Sequence, residues 1–558
     1  MTQMQQPSLV TGASAPALLD GCIGEALAAA ARRWPDQDAL IVRHQDIRWS
    51  YAELFDKVEQ LAAALIDIGL EPGDRVGVWS QNNSEWVLAQ FATAMAGIIQ
   101  VNINPAYRTH ELEHALKKTG CRAIILSPYF RTSSYVDILR ELAPEIAASK
   151  AGELRSQKLP DLQWAICLGH DVPVGMIAFP DLMASASQHG RERVRAIAST
   201  LRPDDSINIQ FTSGTTGTPK GAALTHRNIL NNGFFVGQGI KLNSSDRLCL
   251  PVPLYHCFGM VMANLACITH GACMVQPAEH FDAQLTLDAV AAERCTVLYG
   301  VPTMFIAMLD HPSFEQYDLS SLRTGIMAGS PCPPATMRKV MDLMNMKEVT
   351  IAYGMTETSP VSFQSSTEDP VELRINTVGR IHPHLEAKVV NNLFETLPVD
   401  QTGELVVRGY SVMAGYWGDD AATQEAIRDG WMHTGDLASI DSDGYCQIVG
   451  RSKDMVIRGG ENIYPAEVES FLHSHPKIRD VQCIGIPDDR FGEELCACVI
   501  VQQGEVLNPE EIVSFCKGRI SHYKIPRYIE FVESFPLTVT GKVQKFLLRE
   551  TICRKIGI

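Results

Sequence analysis

The sequence carries no surplus of positive charge: 48 Lys and Arg stand against 64 Asp and Glu, for a formal net charge of −16. A chain this acidic is poorly suited to wrapping nucleic acid or coating an anionic membrane. It has 15 cysteines but no CxxC pair, and the nearest two, Cys496 and Cys498, are separated by a single residue. An odd count without framework spacing predicts reduced thiols, most of them buried as small hydrophobes. Long apolar runs are missing too. The most apolar window, 259–275, is interrupted by Asn264, Thr269 and His270, and falls short of the roughly 18–20 residues of a membrane span. It predicts a buried helix followed by a strand. The first residues show neither a basic nor an apolar leader, and the last no lipidation or sorting tail, so the expected location is the cytoplasm. There is no internal repeat and no low-complexity tract.

What remains is a long, core-rich chain of 558 residues, 46% apolar and 20% charged. That excludes disorder as the main state, and at about 100–200 residues per domain it suggests three or four structural units. Strand-like runs at 75–79, 98–102 and 123–126 bracket helical stretches at 85–96 and 109–119. This β-α-β rhythm predicts parallel sheets covered by helices. The mixed-charge stretch 145–162 reads as a surface insertion. From about 454 the elements shorten, with strands at 478–486, 497–502 and 528–532 and helices at 465–473 and 508–519. That reads as a small α+β domain, joined near Gly450-Arg-Ser-Lys-Asp454. Within 517–555, nine Lys and Arg face three Glu, a basic island in an acidic chain.

The densest chemical signal is Thr212-Ser-Gly-Thr-Thr-Gly-Thr-Pro-Lys-Gly221, directly after an alternating run, 206–211, that reads as a strand. Its glycines and hydroxyls supply backbone N–H and O–H donors of the kind that fold around phosphate oxygens. Lys220 adds a point charge. The spacing is not that of a Walker loop, which separates its first glycine from Gly-Lys by four residues. Further on stand Ala352-Tyr-Gly-Met-Thr-Glu-Thr-Ser359, Trp431-Met-His-Thr-Gly-Asp436, Gly450-Arg-Ser-Lys-Asp454 and Pro536-Leu-Thr-Val-Thr-Gly-Lys542. A lone carboxylate among hydroxyls, Glu357, suits a hard cation that keeps its waters and bridges phosphate oxygens. The face of Tyr353 suits a purine, and Asp436 suits two vicinal hydroxyls.

In this order, over nearly the whole chain, the motifs resemble those of the adenylate-forming superfamily: acyl-CoA synthetases, peptide-synthetase adenylation domains and luciferases. The resemblance implies an α/β fold. A large N-terminal domain (1–450) would hold parallel-rich sheets flanked by helices plus a β-barrel-like subdomain. A hinge (451–453) would lead to a small mobile α+β C-terminal domain (454–558). It implies ATP, Mg²⁺ and coenzyme A as the small molecules used. Thr212, Ser213, Gly214, Thr215, Thr216, Gly217, Thr218 and Lys220 would cradle phosphate. Gly329, Ser330, Tyr353, Gly354 and Met355 would flank adenine, Thr356 would touch phosphate, and Glu357 would hold Mg²⁺. Asp436 and Arg451 would bind the ribose, and Lys542 would enter for adenylation. Lys542, Glu357, Thr356 and Lys220 are thus the catalytic candidates, and Lys453 is the hinge residue. Arg458, Gly459, Gly460, Lys524 and Arg527 are the coenzyme A candidates, with the basic island as landing site.

The implied reaction has two steps: a carboxylate attacks the α-phosphorus of ATP, then the thiol of coenzyme A displaces AMP. The acyl pocket candidates are His256, Val301, Met304, Met327, Gly354 and Met355. Acetate-specific relatives block the position of Gly354 with tryptophan, so glycine predicts an open floor, and the flexible methionines fit medium or longer fatty acids. The wording is nearest to medium-chain fatty acyl-CoA ligases. An aryl acid–CoA ligase, and an adenylating enzyme that loads a separate acyl carrier protein, are the alternative readings. The expected partners are a carboxylic acid, ATP and coenzyme A, without nucleic acid or a transmembrane segment; peripheral membrane contact and a homo-oligomer stay open. If Lys453 is the hinge, Lys453→Pro stalls thioester formation while pyrophosphate release continues. Undiminished acyl-CoA output, measured by mass, refutes that role.

Overall fold

The computed structural model describes residues 6–212, 219–459, 461–488, 490–538 and 540–556. The proposed β-α-β rhythm is present: strands Arg75–Trp79, Ile99–Asn102 and Ala123–Leu126 alternate with helices Ser84–Met95 and Thr109–Thr119. These strands belong to an eight-stranded sheet. It is parallel from Ile177–Ala178 through Ser206–Thr212, then antiparallel through Lys220–Thr225 to Gly415–Tyr416. A second sheet of nine strands is parallel at its centre, from Glu348–Gly354 to Asp38–Val42, with antiparallel strands at both edges.

Helices Tyr51–Asp67, Ser84–Met95 and His226–Gly239 contribute to the largest core cluster, which joins Val76 and Val78 of the first sheet to Leu248 and Val297 of the second. Ser84–Met95 is buried on every side except at Glu85, as a helix in a central layer must be. Local chemistry sets the helix starts: Ser50 accepts from Glu53 N–H while Glu53 reaches back, and Asn83 accepts from Trp86 N–H. The window 259–275 ends as expected, in helix and then the strand Cys273–Gln276, but Met260–Leu265 within it is wound as a π-helix.

The segment 145–162 departs from its reading as a surface insertion. Ile146, Leu154, Leu159 and Leu162 are at most 2% exposed and pack into the cluster of Trp79 and Tyr135, whose rings stack at 3.6 Å. Charged residues between them had masked the apolar pattern.

The barrel-like subdomain is a six-stranded antiparallel sheet that includes Leu385–Val390, Gly403–Gly409, Trp431–Ile440 and Cys446–Arg451. After it comes a five-stranded sheet in which Tyr528–Phe531 runs parallel to Gly492–Val501 and the other pairings are antiparallel. Helices Pro465–Leu472, Pro509–Cys516 and Lys545–Ile556 supply buried residues to its two core clusters. All 15 cysteines are free, and 13 are buried. No described helix is long and apolar enough to cross a membrane.

Leu159→Ala tests the corrected segment. Truncating a buried leucine costs about 2–5 kcal/mol, so the melting temperature falls by several degrees; a surface insertion would leave it unchanged.

Candidate active site

The phosphate-loop candidates sit on a hairpin. Strands Ser206–Thr212 and Lys220–Thr225 pair antiparallel, with Thr212 opposite Lys220. Ser213, Gly214, Thr215, Thr216, Gly217 and Thr218 lie outside the described residues. Thr212 donates its hydroxyl to Glu357 Oε1 at 3.1 Å, and Tyr416 donates to the same oxygen at 2.9 Å. Glu357 sits in the one-turn helix Thr356–Thr358, 6% exposed, just beyond the end of strand Glu348–Gly354. Lys220 Nζ stands 5.1 Å over the Tyr416 ring. Tyr416 escaped the sequence reading because its link to Lys220 and Glu357 is made by an edge pairing of Gly415–Tyr416 with Lys220–Thr225.

Asp436 and Arg451 are cross-strand partners in the six-stranded sheet, and that register sets Arg451 Nε 3.4 Å from Asp436 Oδ1. Tyr353 donates its hydroxyl to Asp436 Oδ2 at 2.6 Å. Burial raises the Asp436 pKa, while Arg451 and the Tyr353 hydroxyl oppose the rise. Both carboxylate oxygens thus already face donors, an acceptor arrangement that two sugar hydroxyls fit.

Lys542 arrives on a hairpin tip from the C-terminal sheet region. Thr538 N–H donates to Lys542 O at 2.8 Å, Lys542 N–H donates to the Thr538 hydroxyl at 3.0 Å, and Gly541 turns the chain at φ +80°. The tip docks against Thr303, whose hydroxyl donates to Gly541 O at 3.4 Å. Gly329, at φ +92°, has no side chain to meet it; a Cβ there would lie 3.7 Å from Lys542 Cε. Lys542 is half-buried and, among the described residues, forms no ion pair. Desolvation lowers its pKa first, then Arg451; Asp436, Cys257 and Glu357 act the other way. A cleft that carries an uncompensated cation is prepared for an anion. A second bridge between the regions is Arg479–Asp310 at 3.1 Å.

His256 caps the short helix Cys257–Gly259 by accepting from Phe258 N–H. Its pKa is pushed down to about 3, by burial and then by Lys542, so it faces the cleft as a neutral ring. Val301 and Met304 join Phe258 and Tyr299 in the central cluster, with Met355 against it, and the Phe258 and Tyr299 rings stack at 5.7 Å. Ser330 follows Gly329 at the end of strand Thr324–Ala328 and is half-buried.

Three expectations change. Met327 is not a pocket residue: alternation along Thr324–Ala328 turns Ile326 and Ala328 to the central cluster and Met327 to the opposite face, with Leu298 and Ile351. Gly354 has a backbone reason to be glycine beside the pocket one. The strand pairing slips between Tyr353 and Gly354, and a Cβ on Gly354 would strike the Pro360 carbonyl. The basic island is partly neutralised at home, four of its nine cations being paired: Lys524 with Glu467, Lys545 with Glu469, Arg549 with Glu493 and Lys555 with Glu530. Arg458 is likewise held by Glu494 and lies over the Phe491 ring. Arg527 stays exposed, Gly459 is left-handed at φ +58°, and Gly460 lies outside the described residues. Lys453 is exposed in the one-turn helix Ser452–Asp454.

An α/β body and a smaller sheet that together enclose a cation-lined, hydroxyl-rich cleft define an adenylate-forming enzyme. Residues 27–417 match the AMP-binding enzyme family and residues 467–542 the AMP-binding enzyme C-terminal domain. The chain belongs to the AMP-binding enzyme family, in its acyl-CoA ligase branch. The medium-chain acyl-CoA ligase ACSF2 of Bos taurus is 49% identical over 96% of this chain and 88% of its own. The Homo sapiens ACSF2 is 46% identical over 99% and 91%. Both names carry the word mitochondrial. The anthranilate CoA ligase AuaEII, solved with anthranoyl-AMP, has a TM-score of 0.84 at 25% identity, covering 97% of this chain and 99% of that one. ATP-bound MatB from Rhodopseudomonas palustris has 0.80 at 28%, covering 96% and 99%.

Lys542→Ala abolishes pyrophosphate release from acid and ATP but largely spares thioester formation from supplied acyl-AMP; equal loss in both half-reactions rejects the assignment. Because the Lys542 pKa is lowered, its charge disappears as pH rises through a value below the usual 10.5. The alkaline limb of kcat/KM for pyrophosphate release, which reports the free enzyme, accordingly falls earlier than an exposed lysine would allow.

Proposed function

We propose that the protein is an ATP-dependent, AMP-forming fatty acid–CoA ligase acting on medium- to long-chain acids. The observation that carries the reading is the Lys542 cation, which enters the cleft near Glu357 and Asp436 yet forms no ion pair among the described residues. The roles follow from position. Asp436 accepts the ribose hydroxyls, Tyr353 flanks adenine, and Thr212, Thr356 and Lys220 meet phosphate oxygens. Lys542 neutralises the charge that develops at the α-phosphate as the carboxylate attacks. Glu357 holds Mg²⁺. The residues fit such an ion: Glu357 is a lone buried carboxylate with the hydroxyls of Thr212 and Tyr416 beside it. Glu357 would be the protein's contribution to holding Mg²⁺, an ion that keeps most of its waters and is otherwise held by substrate phosphates; when bound it would offset the charge of the leaving pyrophosphate.

The division into 1–450, a hinge at 451–453 and 454–558 is supported by the strands. Cys446–Arg451 closes the six-stranded sheet, and Val456–Arg458 opens the five-stranded one. Rotation about Lys453 withdraws Lys542 and brings Gly459 forward, so one cleft serves both half-reactions. Of the basic coenzyme A candidates Arg458, Lys524 and Arg527, only Arg527 forms no ion pair among the described residues. The apolar wall of Val301, Met304 and Phe258 supports an aliphatic chain, as the names of the ACSF2 relatives do. The stacked Phe258 and Tyr299 rings favour an aryl acid as the second reading. Free thiols throughout fit a reducing compartment such as the cytoplasm.

The test is a screen of saturated C2–C18 and aryl acids for pyrophosphate release, with and without coenzyme A, with products identified by mass. The expected result is acyl-CoA from aliphatic acids longer than acetate. Acyl-adenylate formation without any coenzyme A thioester overturns the ligase reading.

A further inference from the structure

A strand buried on both faces is ordinarily an apolar run. Strand Ser206–Thr212 is not. Its residues Asn208 and Gln210 share one face with Thr212, while Ile209 points to the other side. The neighbouring parallel strand repeats the pattern: Gln100 lies beside Asn208 and Asn102 beside Gln210. All four amides are at most 3% exposed. Amides buried in this way hold the structure less well than shape-matched apolar side chains, so their presence calls for another reason.

Their hydrogen bonds supply it. Gln210 Oε1 accepts from the Cys257 thiol at 3.2 Å, and Gln210 Nε2 donates to Asn208 Oδ1 at 2.9 Å and Met260 Sδ at 3.0 Å. Asn102 Nδ2 donates to Tyr255 O at 2.8 Å and to the same sulfur at 3.1 Å. Gln90 Nε2 takes Met260 O at 3.0 Å, at the start of the π-helix. The strand whose outer end, Thr212, is bonded to Glu357 therefore grips the segment from Tyr255 to Met260 at two residues, Cys257 and Met260, both through Gln210, while Asn102 on the adjacent strand holds Tyr255. That segment carries His256 and Phe258, the wall of the acid pocket.

We propose that Gln210 is a positioning residue for adenylation: through Cys257 and Met260 it registers the acid-binding segment against the phosphate-binding hairpin and Glu357. The proposal rests on the ligase reading above. Attack on the α-phosphorus requires reacting atoms about 3–3.5 Å apart, and a displacement of about 1 Å costs on the order of 100-fold in rate.

The experiment measures pyrophosphate release with the best acid of the screen, together with melting temperature. Gln210→Met keeps the volume and loses the amide. Its kcat falls at least about tenfold, while the KM for ATP and the melting temperature hold. Cys257→Ser retains a donor and near-normal kcat; Cys257→Ala loses both. The double variant Gln210→Met with Cys257→Ala is no slower than the worse single one, because one interaction has been removed. A Gln210→Met enzyme with wild-type kcat, or strictly additive losses, overturns the proposal. If Gln210→Met does not fold, the Cys257 pair decides: equal rates for Ser and Ala overturn it. A wild-type protein silent with every acid fails the ligase reading itself, whereas an active wild type with unaffected variants fails only the role of Gln210.

Discussion

A cation held in a cleft without a partner is the constraint around which the molecule is arranged. Lys542 loses hydration on entering the cleft, and Arg451 beside it adds repulsion. Its arrival rests on a hairpin tip tied by Thr538, with a glycine at the bend, that docks beside Gly329. Asp436 and Glu357 lie near enough to act on it without forming an ion pair. The place proposed for the α-phosphate is therefore one that the protein alone leaves electrostatically unfinished.

The two large sheets meet this constraint by supplying opposite sides of the cleft. The eight-stranded sheet ends in the Thr212–Lys220 hairpin, and the nine-stranded sheet ends near Tyr353 and Glu357. The hydroxyls of Thr212 and Tyr416 fasten the two at one carboxylate oxygen. The antiparallel sheet adds Asp436 and Arg451 by register alone. Since these sheets are anchored in core clusters, their groups are pre-positioned.

Much of this was legible in the chain. The strands at 75–79 and 123–126 follow from short apolar, β-branched runs, and the helix at 109–119 from helical spacing closed by Gly120. The motif residues Glu357, Asp436 and Lys542 stand out because the ordered motifs around them resemble those of the family; alone, Asp436 reads as a turn aspartate and Lys542 as a surface lysine. Other features were hidden because their cause is not local. Leu154, Leu159 and Leu162 are spread among charged residues, and only the fold of 145–162 over Trp79 reveals their common face. Met327 was assigned by proximity in sequence, yet strand alternation turns it away. The basic island looked like an anion site until Glu467, Glu469, Glu493 and Glu530 were found beside it.

The sequence by itself determined the chemistry: which residue types exist to hold phosphate, ribose and a hard cation, and that a separate terminal region carries the lysine. Those properties reside in side-chain identity and short-range spacing. Only the tertiary structure decided which charges remain available, because availability depends on partners far apart in the chain. It paired Lys524 away and left Lys542 unpaired. It set Tyr416 on Glu357, and laid a row of amides from the phosphate hairpin under the acid pocket. The opening net charge of −16 thus says little about the site, where a few cations freed of partners by the fold meet the anionic substrate.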